Sequence, residues 1–239
     1  MTEIPKSHPR YESLRVRELL VEGVEEGITS KAGLIAHGRG EAFDYLLGEE
    51  TIDTAVIAER AAVDRMLEAD NPVISVNGNV AALVPGEIVE LAERLEAKLE
   101  VNLFHRTDER MEKIRGKLLE HGADAVYGLD ADAEIPGLDH DRALCSKEGI
   151  YTSDVVLVPL EDGDRATALS EMGKTVITID LNPLSRTAQT ADITIVDNIT
   201  RAVPNMIRIK PLPGRFDNEE NLNSVMNHIA ERLKEESKK

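Results

Sequence analysis

The spacing of hydrophobic residues changes repeatedly along the chain. Apolar residues recur every three to four positions, which predicts helices, at residues 11–26, 41–47, 51–69, 85–99, 107–121, 166–172, 200–206 and 219–234. Short runs of consecutive apolar residues predict buried strands at residues 72–76, 99–104, 123–127, 154–159, 174–180 and 191–196. Because such strands alternate with helices, the sequence predicts an α/β fold with a parallel sheet covered by helices and with helical extensions at both ends.

The chain shows no internal repeat and no Pro/Ser-rich linker, which predicts one domain over residues 1–239. We expect a helical N-terminal segment at 1–70, the α/β core at 71–206 and a C-terminal helix within 207–239.

The segment between Gly128 and Ile150 shows no regular spacing of hydrophobic residues, and carboxylates cluster in it. The glycine turn and the terminal glutamate of a calcium loop are absent there, so we expect a solvated loop.

Composition narrows the possible functions. The formal net charge is −17, from 45 acidic and 28 basic residues, which argues against binding to nucleic acid or to an anionic membrane. Aromatic residues make up only 3% and tryptophan is absent, so stacking platforms for single-stranded nucleic acid are not expected. A single cysteine, Cys145, excludes an intramolecular disulfide. With no signal-peptide pattern and no long apolar run, we expect a cytoplasmic protein.

One stretch, residues 30–40, combines three glycines, Lys31, His37 and Arg39 with no acidic residue. In such an acidic chain it predicts an anion site. We expect a glycine-rich loop whose backbone approaches a ligand closely, followed by a helix from Glu41 with its free amides facing the anion. The alternative is an ordinary glycine turn before a helix, since neither G-x-G-x-x-G nor the P-loop motif is present.

Polar side chains follow four of the predicted strands, at residues 77–79, 161–165, 180–186 and 197–198. Ligands of open α/β sheets collect at such carboxyl ends. Aspartate suits ribose hydroxyls and arginine suits phosphates, although each cluster alone could be a loop cap. Motifs for thiol, zinc and serine-nucleophile chemistry are absent. A nucleotide-driven reaction fits, because it requires the protein mainly to position polyanions and neutralise charge.

Five segments resemble the archaeal phosphopantothenate synthetase family: IPKSHPRY at 4–11, KAGLIAHGRGEAFDY at 31–45, SVNGNVAALVP at 75–85, VLVPLEDGDR at 156–165 and DLNPLSR at 180–186. The resemblance extends from residue 4 to about 206 and is poor over 108–150. It implies a Rossmann-like homodimer of coenzyme A biosynthesis that uses ATP and Mg²⁺. The implied reaction joins (R)-4-phosphopantoate to β-alanine through a phosphopantoyl adenylate, giving 4′-phosphopantothenate, AMP and pyrophosphate.

The resemblance also implies residue roles. The expected ATP contacts are Arg17, Arg39, Asp180, Leu181, Asn182, Arg186, Thr187, Asn198 and Ile199. We further hypothesise that Lys31, His37 and Arg39 surround the reacting carboxylate and phosphates, as catalytic residues. The expected substrate-binding residues are Asn77, Asn79, Glu161, Asp162 and Arg165. Asp162 or Asp164 would accept the β-alanine ammonium or hold Mg²⁺ through water, and the metal ligands stay undetermined.

Two other classes of function remain open at this point. One is a non-catalytic sensor of a nucleotide or a phosphorylated metabolite, built on the same sheet. The other is a phosphosugar-type isomerase, which would use an acid/base pair such as His37 with Glu161 and would not need ATP.

Overall fold

The computed structural model describes residues 5–238. Its strands are β1 (Pro72–Val76), β2 (Lys98–Val101), β3 (Val126–Tyr127), β4 (Ala133–Glu134), β5 (Leu144–Cys145), β6 (Val155–Leu157), β7 (Thr175–Ile179) and β8 (Ile193–Ile195). Six of them form a parallel sheet in the order β3-β2-β1-β6-β7-β8, and β4 pairs antiparallel with β5. The order of the large sheet is that of the Rossmann fold, with its topological switch point between β1 and β6.

The helices are α1 (Tyr11–Glu25), α2 (Lys31–Leu47), α3 (Asp53–Leu67), α4 (Gly78–Leu83), α5 (Pro85–Arg94), α6 (Asp108–Glu120), α7 (Gly163–Glu171), α8 (Arg186–Thr190), α9 (Ile199–Arg208) and α10 (Asn218–Glu236). Every residue of β1, β6 and β8 is buried, as expected for strands covered on both faces. The prediction of a helix-covered parallel sheet with helical N- and C-terminal extensions is therefore confirmed. Within residues 5–238, no helix is both long and apolar enough to cross a membrane.

The expectation of a glycine-rich loop at residues 30–40 is wrong, because α2 begins at Lys31 and continues through this stretch. The side chain of Ser30 caps the helix by accepting a hydrogen bond from the amide of Gly33 at 3.0 Å. A Cβ on Gly33 would lie 2.5 Å from Oδ1 of Asn79, so this glycine permits close contact between α2 and α4. Free amides at Glu41 do not exist, since that residue lies in the middle of the helix.

Two further expectations differ from the structure near helix ends. The helix expected at 51–69 begins at Asp53, because Ile52 occupies the N-cap position and the Thr51 hydroxyl donates to Oδ2 of Asp197 at 2.6 Å. The helix expected at 85–99 ends at Arg94, and Glu96 adopts a positive φ of 51° as the chain turns into β2. Apolar spacing continues across that turn, which is why the sequence pattern extends too far.

The segment between β3 and β6 is folded, contrary to the expected solvated loop. The carboxylate of Glu100, fully buried on β2, accepts hydrogen bonds from the amides of Ser146 at 2.9 Å and Ile150 at 2.7 Å. Apolar side chains of the segment, among them Ile135 and Cys145, pack into a cluster on one face of the sheet. Burial raises the pKa of the Cys145 thiol to about 12, so this cysteine is a packing residue. The segment is thereby held beside the carboxyl ends of the strands.

A second buried carboxyl, Glu59, lies on α3 where this helix packs against α9. Its Oε1 accepts a hydrogen bond from Nδ2 of Asn205 at 3.2 Å, and its Oε2 has no partner among residues 5–238. Burial raises the pKa of Glu59 to about 8, with the negative charge of Asp197 adding to the effect and the Asn205 hydrogen bond opposing it. The folded state therefore favours the protonated form at neutral pH.

This arrangement predicts a pH-dependent contribution to stability. A carboxyl whose pKa is raised on folding stabilises the native state fully below its ordinary pKa of 4.5, and this contribution is lost as pH rises through about 8. Relative to Glu59→Gln, which cannot ionise, the native protein should lose about 2 to 4 kcal/mol of unfolding free energy from about pH 5 to about pH 9. Urea unfolding followed by circular dichroism measures the difference.

Glu68→Gln provides the control, since Glu68 is exposed at the C-cap of the same helix and its ion-pair distance to Arg65 is 3.8 Å. Its unfolding free energy should follow the native pH dependence. Parallel pH curves for the native protein and Glu59→Gln would contradict the prediction.

Candidate functional site

A cavity of about 780 Å³ opens at the carboxyl ends of the parallel strands, beneath one face of α2. The turns after β1, β6, β7 and β8 form its floor, so it lies across the topological switch point where ligands of this fold bind. Of the residues predicted from the sequence, the cavity brings together His37, Arg39, Asn77, Asn79, Glu161, Asp162, Asp180, Leu181, Asn182, Asn198 and Ile199. The glycine-rich stretch and the four strand ends therefore surround one space.

Six predicted residues do not line this cavity: Lys31, Arg17, Asp164, Arg165, Arg186 and Thr187. Lys31 and Arg186 are exposed at the first positions of their helices. Arg165 is fully buried below the floor. The hydroxyl of Thr187 donates to the backbone oxygen of Glu161 at 2.8 Å and so supports the floor from beneath.

Arg17 is held away from the cavity by α2. Its guanidinium makes an ion pair with Glu41 at 2.9 Å and donates to the hydroxyl of Tyr45 at 3.1 Å. The hydrogen bond that Arg17 donates to Glu41 raises the pKa of Arg17 despite the opposing effect of desolvation. An ATP contact by Arg17 would require this pairing to change.

A ladder of alternating charges forms the floor after β6. Arg165 on α7, with no exposed surface, pairs with Glu161 and donates to Oγ of Ser75 at 3.2 Å. The carboxylate of Glu161, almost fully buried, also pairs with Arg142 at 2.8 Å. Leu160, which precedes Glu161, has a positive φ of 54°, a conformation that costs energy for a residue with a Cβ. The ladder thus fixes the backbone and the side chains of this turn.

Asp162 extends the ladder toward solvent. Its Oδ2 lies 3.1 Å from Nε of Arg142, and about half of its side chain remains exposed. Burial raises the pKa of Asp162, while the charge of Arg142 opposes that shift. Its neighbour Asp164 points elsewhere and hydrogen-bonds Nε2 of His140 at 2.9 Å. Of the two carboxylates proposed for the ammonium or for Mg²⁺, only Asp162 lines the cavity.

A second set of buried charges joins α2 to the turn after β8. Arg201 on α9 pairs with Asp44 of α2 at 2.6 Å and with Asp197 at 2.5 Å. Asp44 also accepts a hydrogen bond from Nδ2 of Asn198 at 3.0 Å. Asn198 in turn caps α9 through its contacts with Thr200. The wall of the cavity formed by α2 is thereby fixed to its floor.

The turns after β1 and β7 also use their polar side chains to shape the backbone. Asn77 donates to the oxygen of Pro159 at 2.9 Å, which ties together the two strands of the switch point. Asp180 accepts from the amide of Asn182 at 2.9 Å and from the Ser185 hydroxyl. Burial raises the pKa of Asp180, against the effect of these hydrogen bonds. Asn77 and Asp180 thus line the cavity and also stabilise the backbone of the turns that form its floor.

On the opposite wall, α2 presents His37 and Arg39. Burial lowers the pKa of His37, although the charges of Glu41 and Asp44 act in the opposite direction, so the imidazole is neutral at pH 7. Its Nε2 is buried and has no hydrogen-bond partner within the described chain, which is typical of a functional position. Arg39 is exposed and makes no ion pair with any described residue, so its charge is available to a ligand.

Sequence reasoning missed several lining residues, including Arg110 on α6 and Arg142 in the segment between β3 and β6. Phe104 and His105, which follow β2, were also missed. Arg110 had no distinguishing signal among the charged residues of a predicted amphipathic helix. Arg142 lies in the segment expected to be solvated, and only the folding of that segment brings it to the cavity.

The described residues contain no group of three or more His, Cys, Asp or Glu side chains arranged to hold a metal ion. Mg²⁺ in nucleotide sites is commonly held by one or two carboxylates together with the phosphates of the substrate. The partly exposed carboxylate of Asp162 fits that role. Glu161 does not, because Arg142, Arg165 and the amide of Asp162 already occupy its oxygens.

The strand order and the polar cleft at the switch point define a Rossmann-type α/β protein. The chain belongs to the phosphopantothenate/pantothenate synthetase family, whose model matches residues 54–232. It is 55% identical to a 4-phosphopantoate–β-alanine ligase of Thermococcus kodakarensis, over 98% of this chain and 94% of that protein. It is 56% identical to the ligase of the same name from Methanosarcina mazei, over 98% of this chain and 97% of the relative.

The charge ladder predicts that Arg165 matters for stability although it does not line the cavity. Arg165→Met removes one of the two arginines that pair with the buried carboxylate of Glu161 and also the hydrogen bond to Ser75, so it should lower the unfolding free energy by about 3 kcal/mol. Arg39→Met, which replaces an exposed arginine without an ion pair, should change it by less than about 0.5 kcal/mol. Urea denaturation compares the two variants, and equal effects would rule out the structural role of Arg165.

Proposed function

We propose that this protein is an ATP-dependent ligase that joins 4-phosphopantoate to β-alanine, forming 4′-phosphopantothenate, AMP and pyrophosphate for coenzyme A biosynthesis. The observation that carries the proposal is the 55–56% identity, over nearly the whole chain, to relatives named for this ligase activity. The cavity supports it independently, because it is large enough for two ligands and its polar groups suit a nucleotide and a phosphorylated acid.

In the proposed reaction, a carboxylate oxygen of 4-phosphopantoate attacks the α-phosphorus of ATP. A new oxygen–phosphorus bond forms, and the bond between the α-phosphorus and the bridging oxygen breaks, so that pyrophosphate leaves with the electron pair. The β-alanine nitrogen then attacks the acyl carbon, and AMP leaves with the oxygen that came from the carboxylate. The protein's tasks are to align these groups and to stabilise the negative charge on the phosphates.

We assign the ATP contacts to the turns after β7 and β8, namely Asp180, Leu181, Asn182, Asn198 and Ile199, with Arg39 facing them from α2. All six residues line the cavity. Arg17, Arg186 and Thr187 belong to this proposal through family resemblance, and their positions outside the lining mean that they act only if side chains rearrange. Asn77, Asn79, Glu161, Asp162 and Arg165 are assigned to the acid and the amine, with Arg165 acting through Glu161.

His37 is the proposed base for the second step, in which the β-alanine ammonium must lose a proton before its nitrogen can attack. A neutral imidazole with an unpaired nitrogen can accept that proton, and burial keeps the pKa of His37 low enough for the neutral form to prevail. Arg39 is the proposed partner of the phosphates. Lys31, exposed at the start of α2, would reach the same anions only by extending over the rim.

Mg²⁺ and a homodimer complete the proposal. The ion would enter with ATP and supply positive charge to its phosphates, with Asp162 as the protein carboxylate that contributes to holding it. The dimer rests on the family resemblance. Light scattering on the purified protein measures its mass in solution.

The isomerase and the non-catalytic sensor, the two other classes of function, fit the site less well than the ligase does. An isomerase that used Glu161 as its acid or base would need a free carboxylate, and both oxygens of Glu161 are engaged by arginines. A non-catalytic sensor would need the same cleft but would release no product.

Incubation with MgATP, β-alanine and 4-phosphopantoate labelled with ¹⁸O in its carboxylate tests the proposal. We expect 4′-phosphopantothenate, pyrophosphate and AMP carrying ¹⁸O, measured by mass spectrometry. Formation of ADP would overturn the adenylate route while keeping the ligase. Ligand binding without turnover would favour the sensor, and turnover of a phosphosugar without ATP would favour the isomerase.

The two half-reactions separate the proposed roles of Arg39 and His37. Arg39→Ala should reduce the ATP–pyrophosphate exchange that accompanies adenylate formation by about tenfold or more, because a cation facing the phosphates is lost. His37→Gln should leave this exchange nearly unchanged and reduce product formation, since its proposed role begins with the amine. Arg65→Ala, an exposed arginine on α3 outside the cavity, is the matched control. Normal exchange in Arg39→Ala, or equal loss of exchange in both site variants, would contradict these assignments.

A further inference from the structure

Arg110, like Arg39, lines the cavity without a carboxylate partner among the described residues, but unlike Arg39 it is held in place by the backbone. The guanidinium of Arg110 donates from Nε and Nη2 to the backbone oxygen of Ile28, at 3.1 and 2.9 Å, and from Nη1 to that of His105, at 2.7 Å. Arg110 makes no ion pair within residues 5–238. These carbonyls hold the side chain in place without neutralising it, and they use three of its five N–H donors. The group is positioned and still able to bind an anion.

The surroundings of Arg110 are also positive. Burial lowers its pKa, and the charge of Arg142 lowers it further, so the two arginines repel each other across this end of the cavity. Arg142 shares Glu161 with Arg165 and also contacts Asp162. Arg142 therefore has carboxylate partners, whereas the guanidinium of Arg110 has none among the described residues and experiences the repulsion of Arg142. Like charges in a partly buried site are unfavourable unless an anion joins them.

The backbone at this place is shaped to approach the guanidinium closely. A Cβ on Gly78, the first residue of α4, would lie 2.9 Å from Nη2 of Arg110 and 2.3 Å from the oxygen of Ile28. Next to it, Nδ2 of Asn79 donates to the oxygen of Gly33 at 3.0 Å, which joins α4 to α2. The end of the cavity around Arg110 is therefore closely packed and its geometry is defined.

The opposite end has a different character. Asp180, Asn182 and Asn198 line it, and no lining arginine follows β7 or β8. Its one carboxylate and two amides suit the hydroxyls and the base of a nucleoside. The cavity is thus divided into an end that suits a nucleoside and an end that suits a compact, highly charged anion.

We infer that Arg110, with Arg142 beside it, binds the phosphate group of the phosphorylated acid substrate, a phosphomonoester dianion. This inference rests on the proposed function and assigns part of its site. The phosphate would accept charge-assisted hydrogen bonds from the remaining Arg110 donors and would compensate the positive charge of Arg110. An acid without the phosphate would leave Arg110 uncompensated, so the pair would also select phosphorylated over unphosphorylated acids.

Calorimetric titration without turnover tests the assignment, using 4-phosphopantoate, pantoate and ATP as separate ligands. Arg110→Gln should raise the dissociation constant for 4-phosphopantoate by about thirtyfold or more, and those for pantoate and ATP by less than about threefold. Arg110→Lys, which keeps the charge but loses the fork of donors, should fall between Arg110→Gln and the native protein.

Arg106→Gln is the matched control. Arg106 precedes α6, does not line the cavity and is likewise bound to two backbone oxygens, those of Gly128 at 2.6 Å and Leu129 at 2.7 Å. The Arg106→Gln variant should bind all three ligands with the dissociation constants of the native protein. Circular dichroism confirms that the variants are folded.

The alternative outcomes are distinct. An equal or larger loss of ATP affinity in Arg110→Gln would mean that the pair binds the phosphates of ATP, and an equal loss for pantoate would mean a structural role. Either result overturns the inference, as does an equal effect of Arg106→Gln. If the native protein binds 4-phosphopantoate through Arg110 and still forms no product, the proposed function fails and the phosphate subsite stands.

Discussion

The buried ladder of Arg165, Glu161 and Arg142 is the constraint on which the geometry of the site depends. Removing these charges from water costs nearly as much as their attraction returns, so the ladder is a poor source of net stability. The ladder matters because it fixes the positions of the chain segments that it joins. One carboxylate, almost fully buried, binds an arginine of α7 on one side and an arginine of the segment between β3 and β6 on the other. A segment with little regular structure is thereby attached to the floor of the cavity.

The opposite wall of the cavity, formed by α2, is also fixed by an arginine that binds two carboxylates. Arg201 connects Asp44 of α2 to Asp197 at the end of β8. A second contact holds α2 near its C-terminal end, where Arg232 of α10 donates to the backbone oxygen of Leu46 at 3.1 Å. The helix carrying the candidate base is therefore fixed by contacts with both α9 and α10. Such preorganisation is what a two-substrate reaction requires, because most of the catalytic work is alignment.

The sequence predicted the fold well because strands buried on both faces leave a strong pattern, and the helices that cover them are long and periodic. It predicted α2 poorly because its glycines resemble those of a loop. The helix forms there through the Ser30 cap and through close packing of Gly33 on Asn79, a contact 46 residues away in the chain. Single-sequence patterns do not contain such long-range contacts.

The same limit explains which site residues could be predicted. Asp180 and Asn198 were found because residues after parallel strands must meet at one edge of the sheet. Arg142 could not be found this way, because its position depends on Glu100 capturing the amides of a distant segment. Arg165 was predicted as a ligand contact from its neighbourhood in the sequence, whereas its place on α7 directs it into the protein interior.

The whole protein is strongly acidic, whereas the lining of the cavity carries as many arginines as carboxylates, three of each, so distance decides which charges a ligand experiences. The net charge of −17 repels polyanions from afar, but at physiological salt this repulsion is screened over roughly 8 Å. In the cavity lining, Arg39 and Arg110 have no carboxylate partner among the described residues, and the partial burial of Arg110 strengthens its attraction for an anion. In the proposed site, binding would therefore depend on a few local cations, and the acidic surface would contribute mainly to solubility.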